Sequence, residues 1–145
     1  MCYVYTIGYE SRSLDSFLDS LAQNHIEQVI DVRQVPMSRK PGFSKGKLSS
    51  SLENAGISYV HVKELGSSKE MRERLHKTKD YDTFFFAYRY YLSTHFSLVQ
   101  QTWELATQKR TCLLCFEKKP SECHRSVIAE YLHTSMPNVD GVINL

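Results

Sequence analysis

Apolar and polar positions alternate between two periods along this chain, and the switches mark the elements. Tyr3-Val-Tyr-Thr-Ile7 is a β-branched and aromatic run that stops at Gly8, the pattern of a strand. Ser13 is placed to cap a helix whose apolar positions, Leu14, Phe17, Leu18 and Leu21, fall at helical spacing. Gln28 to Arg33 reads as a second strand. The next stretch holds Pro36, Pro41, Gly42 and Gly46 and reads as a loop. Leu48, Leu52 and Ala55 suit a short helix closed by Gly56. Ile57 to Val62 is a third strand, and residues 63 to 79 are charged with no clear period.

The second half repeats the alternation. Asp80 or Asp82 starts a helix to about His95. Tyr81, Phe84, Phe85, Phe86, Tyr88, Tyr90, Tyr91 and Phe96 crowd into this stretch, on more than one face. A helix apolar nearly all round is expected to be buried or to form a subunit interface. A further helix carries Leu98, Trp103, Leu105 and Ala106. Thr111 to Phe116 is a continuous apolar run, expected of a strand covered on both faces. Pro120 and Ser121 signal the start of a last helix with Val127, Ile128, Tyr131 and Leu132 on one stripe. Val139 to Leu145 reads as a short final strand. This order predicts one α/β domain over residues 1–145: three layers, a mostly parallel sheet of about 4–5 strands, and helices on both faces.

Composition narrows the class. The chain has 145 residues and is 41% hydrophobic, enough for a core, and its 12% aromatic content argues against disorder. It has no apolar run long enough to span a membrane, so no membrane partner is expected. MCYVYTIGYESR lacks a basic n-region, so no export signal is expected. Cys2, Cys112, Cys115 and Cys123 therefore read as reduced thiols of a cytoplasmic protein. The net charge of +2 is unevenly spread. Arg33, Arg39, Lys40, Lys45 and Lys47 follow one another with no acid between them, a local field that attracts anions.

The candidate chemistry gathers at the strand ends. In a parallel α/β sheet, ligands bind beyond the carboxyl ends of the strands. Asp31 and Arg33 end one strand, Tyr59 and His61 another, and Cys115 and Glu117 a third; within each pair the side chains share a face. Gly8 permits close approach to the backbone, and Ser11 lies before a helix N-terminus. Ser38 and Arg39 follow a proline turn, and Arg33 and Arg39 together are expected to clamp a phosphate or carboxylate. Cys123, His124 and Arg125 are expected in the first turn of the last helix. There the helix dipole and Arg125 would lower the Cys123 thiol pKa and make it a candidate nucleophile; small-hydrophobe packing is the alternative. Cys112 and Cys115 form C-x-x-C inside a strand and point to opposite faces, which argues against zinc or a thioredoxin motif. Cys115, Cys123 and His124 remain as a further set of ligand types, but no metal and no cofactor is assigned.

Thr6-Ile-Gly, Asp31-Val-Arg-x-x-Pro-x-Ser-Arg39, Tyr59-x-His61, Leu65-Gly66 and Cys115-x-Glu117-x-x-Pro120-x-x-Cys-His-Arg125 occur in that order. In this the chain resembles the family catalogued as domain of unknown function 488, from Thr6 to about Leu132. It departs from the family pattern at Ser67, where a second glycine is frequent, and in the spacing of Tyr9-Glu10-Ser11. The resemblance implies a compact α/β domain and no established reaction. A weaker likeness, in Ile30-Asp-Val-Arg33 and Arg125-Ser-x-x-Ala129-x-x-Leu132, is to rhodanese-type sulfurtransferases. Their short anion cradle maps onto neither cysteine here.

Three functions follow. The first is an enzyme that binds an anionic small molecule or nucleotide through Gly8, Ser11, Arg33, Ser38, Arg39, His61, His124 and Arg125, with Asp31, Glu117 and Cys123 as catalytic groups; plain ion pairing with the arginines is the alternative for Asp31 and Glu117. The second is a non-catalytic nucleic-acid or nucleotide binding module, in which Tyr9 or Phe43 stacks on bases. A rhodanese-like sulfurtransferase is the runner-up enzyme. The third is an interaction protein whose aromatic helix makes a homo-oligomer interface.

Overall fold

The computed structural model describes residues 1–145. Five strands form one all-parallel sheet: β1 (Tyr3–Gly8), β2 (Gln28–Asp31), β3 (Ser58–His61), β4 (Thr111–Cys115) and β5 (Gly141–Asn144). Six helices connect them: α1 (Leu14–Gln23), α2 (Lys45–Asn54), α3 (Lys69–Thr78), α4 (Tyr81–Ser93), α5 (Phe96–Gln108) and α6 (Arg125–Ser135). Short 3-10 turns lie at Lys63–Leu65 and Pro120–Glu122. The expected α/β class holds, with all five expected strands present. No helix is long and apolar enough to cross a membrane.

The strand order is β3-β2-β4-β1-β5. Connections therefore leave β1 in one direction, through α1 to β2, and leave β4 in the other, through α6 to β5. Parallel crossovers share one hand, so the two directions put their helices on opposite faces. Alternation along the strands matches this. Tyr5, Ile7, Val29, Cys112 and Leu114 pack with Phe17 and Leu21 of α1 and Leu48 and Leu52 of α2. Val4, Ile30, Leu113 and Cys115 pack with α4, α5 and α6 through Tyr88, Leu92, Val99, Val127 and Leu132. Adjacent strands whose connections depart in opposite directions leave a crevice at their carboxyl ends, and here those strands are β1 and β4.

Local signals explain most helix starts. The Ser13 side chain accepts from the Ser16 N–H at 3.0 Å, and Asp80 accepts from the Thr83 N–H at 3.1 Å. Gly56 takes φ +78° just past α2, a backbone that favours glycine.

Three expectations need correction. Residues 63–79, to which the missing period assigns no element, contain α3, capped by Ser68. Of the two expectations for α4, burial within the chain does not hold all round: Phe84, Tyr88 and Leu92 face the core, while Phe86 and Tyr90 are 71% and 66% exposed. The last helix does not start at Pro120–Ser121. A 3-10 turn sits there, Cys123 is extended, and His124 is the N-cap of α6.

Candidate functional site

A cleft of about 580 Å³ opens where the crevice is expected, beyond the carboxyl ends of β1, β2 and β4. Its floor is Arg33, Cys115 and His124. One wall is aromatic, with Tyr9 and Phe116 in edge contact at 5.4 Å, and Tyr81 and Phe84 complete it. Glu117 and Glu122 stand on the segment after β4. α3 lines the cleft with Arg72, Leu75 and His76, continued by Lys79.

Asp31 and Arg33 form a buried, bidentate ion pair. Arg33 Nε donates to Asp31 Oδ1 at 2.9 Å and Arg33 Nη2 to Oδ2 at 2.7 Å. Nη1 donates to the Tyr9 hydroxyl at 3.1 Å and to the Phe43 carbonyl at 2.8 Å. The Tyr59 hydroxyl donates to Asp31 Oδ2 at 2.6 Å. Burial alone would favour the neutral guanidine, but the hydrogen bond and charge of Asp31 more than offset it and raise the Arg33 pKa. Burial, then Asp31, raises the Tyr59 pKa. Asp31 is fully buried, so this arrangement pins the end of β2 to the loop after it; only Arg33 reaches the cleft.

Arg125 is fully buried as well. Its Nη1 donates to the Glu117 carbonyl at 2.5 Å and its Nη2 to the Lys118 carbonyl at 3.2 Å. It therefore ties the segment after β4 to α6 rather than facing an open anion site. Gly8 belongs to the same knot. A Cβ there would lie 1.7 Å from the Glu117 carbonyl oxygen, so the close approach that glycine permits is taken by the chain's own backbone.

The remaining sequence candidates divide plainly. Ser38 lines the cleft, but its Oγ accepts from the Lys40 N–H at 3.1 Å. His61 Nε2–H donates to the Arg33 carbonyl at 2.8 Å and holds the β2 turn from outside the cleft. Ser11 is exposed at φ +64°, and neither it nor Arg39 lines the cleft. Phe43 is fully buried and stacked on Tyr9 at 4.6 Å, so it has no face for a base.

Cys123 is outside the first turn of α6, so the dipole argument does not reach it. Burial instead pushes its thiol pKa well up, and burial likewise pushes up Cys112. What the structure does bring together is Cys115, Cys123 and His124, whose sulfur and nitrogen atoms all lie within 4.8 Å of one another. His124 Nε2 is 2.9 Å from the Val32 carbonyl, and Nδ1 is 3.9 Å from each sulfur. The Tyr88 ring packs edge-on against the imidazole at 5.0 Å. The Cys115 thiol points to Glu117 Oε2 at 3.5 Å.

Apart from Arg33, the arginine and lysine that line the cleft, Arg72 and Lys79, were not among the sequence candidates. Arg72 donates to Gln34 Oε1 at 2.9 Å and to the Ser67 carbonyl. Neither Arg72 nor Lys79 has a carboxylate partner. Both belong to the stretch without hydrophobic period. The capping Ser68 before a run of strong helix formers was the signal available.

Residues 13–132 match the model of a family described as "Domain of unknown function DUF488". No curated protein and no solved structure matches the chain.

Proposed function

The chain belongs to the family of the domain of unknown function DUF488, and because that description carries no activity we propose a function from the site itself: the cleft binds an anionic small molecule. The ligand bears a phosphate or carboxylate and, in the fullest fit, a planar group such as a nucleotide base. The observation that carries this reading is that Arg72 and Lys79 line the cleft without carboxylate partners, beside a strand-end crevice. An anion there gains charge-assisted hydrogen bonds, and Phe116, 43% exposed, offers aromatic surface for the rest, whereas Tyr9 is buried against Phe43 and Arg33. The volume suits a mononucleotide-sized molecule.

The site also supplies groups for chemistry. Glu117 is half-buried, faces the cleft and has no cation partner, so it is the acid–base group of this reading. Asp31 is committed to Arg33, and Cys123 is buried without a depressed pKa, so neither has that freedom. The sulfurtransferase alternative loses support for a local reason. The Lys118, Glu122 and Cys123 N–H groups donate to Glu10 Oε1, the Lys119 carbonyl and the Pro120 carbonyl, not toward a cradle.

Calorimetric titration with inorganic phosphate and nucleoside monophosphates tests the proposal. Each charge-assisted bond contributes roughly 1.5–3 kcal/mol, so Arg72→Ala weakens binding by about 10- to 100-fold while Arg39→Ala leaves it unchanged. Binding that is indifferent to Arg72, or absent for every anion, refutes it. Tight, steeply salt-dependent binding of oligonucleotides in preference to mononucleotides selects the nucleic-acid module instead.

A further inference from the structure

The knot below the cleft contains a donor set that anion binding does not use. Cys115 is the last residue of β4, and Cys123 and His124 enter α6 from the 3-10 turn. All three are buried, and every cysteine in the chain is a free thiol. The tautomer of His124 follows from its partner. A carbonyl oxygen only accepts, so the 2.9 Å contact with Val32 places the proton on Nε2. The lone pair is then on Nδ1, which is 3.9 Å from both sulfurs. A backbone carbonyl fixing one imidazole nitrogen so that the other can ligate is the outer-shell arrangement of metal-bound histidines.

We propose that Cys115, Cys123 and His124 form a three-ligand mononuclear site for a borderline divalent cation of the zinc type, with the fourth position open. With metal–sulfur bonds of about 2.3 Å and metal–nitrogen bonds of about 2.0–2.1 Å, tetrahedral ligation sets sulfur–nitrogen separations near about 3.6 Å. The two separations of 3.9 Å close to that value by small side-chain movements. Two sulfurs and one imidazole select zinc over calcium or magnesium, which take oxygen. Binding is balanced as one divalent cation taken up and two thiol protons released through the cleft, leaving a neutral metal–dithiolate unit in the buried pocket. Cys115 and His124 also line the cleft, so the fourth position is the one that faces the ligand. The site stands whether or not the cleft binds anions.

The test uses the full chain stripped of metal by a chelator and titrated with Zn²⁺ or Co²⁺ alone. One cation per chain is expected, and Co²⁺ should produce a thiolate-to-cobalt charge-transfer band with the strong visible bands of tetrahedral cobalt. Cys115→Ser and Cys123→Ser should abolish the charge-transfer band or shift it to a weaker one. Cys2→Ser, Cys112→Ser and Arg72→Ala should leave it unchanged. Because the serine variants alter a buried knot, the unaltered chain supplies a second readout. Zn²⁺ should slow alkylation of the peptides containing Cys115 and Cys123 and leave Cys2 unaffected. Folded protein that takes up no stoichiometric metal overturns the proposal. So does uptake that survives both serine substitutions, or a Cys115–Cys123 disulfide that forms in air despite excess Zn²⁺. Loss of phosphate binding in Arg72→Ala with metal uptake intact separates this site from the anion reading.

Discussion

At the scale of single residues, the buried Asp31–Arg33 ion pair holds the end of β2. Asp31 and Arg33 were legible as a same-face pair because strand alternation is a fixed geometry. That they pair with each other is one of two readings the sequence leaves open, and what closes it is Tyr9, Phe43 and Tyr59 arriving from other elements. Asp31→Ala should cost about 3–5 kcal/mol in denaturant unfolding, since it leaves a buried guanidinium unpaired. A cost below about 1 kcal/mol would mean that water reaches Arg33. Tyr59 gives the pair a pH signature. Its folded pKa is raised, so its contribution is complete below the unfolded value of about 10 and is lost as pH rises through the folded value. From about pH 10 upward, stability should fall, and Tyr59→Phe should reduce the slope by up to about 1.4 kcal/mol per pH unit. Identical slopes in the two proteins would show that Tyr59 ionises alike folded and unfolded. Gly8 and Arg125 show the same limit of sequence reading: their residue types fit a ligand site, yet the Glu117 carbonyl occupies the space between them.

At the scale of elements, helices with a buried stripe were legible and the one without was not. α1 buries Phe17 and Leu21 and reads at once from its spacing. α3 buries no residue, so hydrophobic periodicity had nothing to report, although Ser68 and the helix formers after it were present. The same absence predicts behaviour. A helix with few buried contacts opens locally at low cost. Amide hydrogen exchange across Lys69–Thr78 should be the fastest of the six helices, much faster than in α6, which buries Val127, Ile128, Ala129 and Leu132. Inorganic phosphate should slow exchange in α3 and leave α6 unchanged. Protection of α3 equal to that of α6 would contradict the picture of a loosely held, cation-bearing wall. α4 is the opposite case. Its aromatic density suggested burial or a subunit interface; within the chain, Phe84, Tyr88 and Leu92 at helical spacing are the inward stripe, and Phe86 and Tyr90 are the outward one.

At the scale of the whole molecule, the α/β class follows from alternating elements, whereas the order β3-β2-β4-β1-β5 does not. The order matters because it puts β4 beside β1 and so brings Cys115 and Glu117, far along the chain, next to Tyr9 and Arg33. It also means that the cationic wall comes from the long connection between β3 and β4, not from the basic loop after β2. The alternatives are therefore Arg72 and Lys79 in the cleft, or the set of Arg33, Arg39 and Arg125 that the sequence alone suggested, of which only Arg33 lines the cleft. Crystals soaked in tungstate, a phosphate mimic located by its anomalous scattering, decide between them. The account predicts a peak in the cleft against Arg72 and Lys79, lost in Arg72→Ala; a peak on Arg39 or beside Arg125, with the cleft empty, would contradict it.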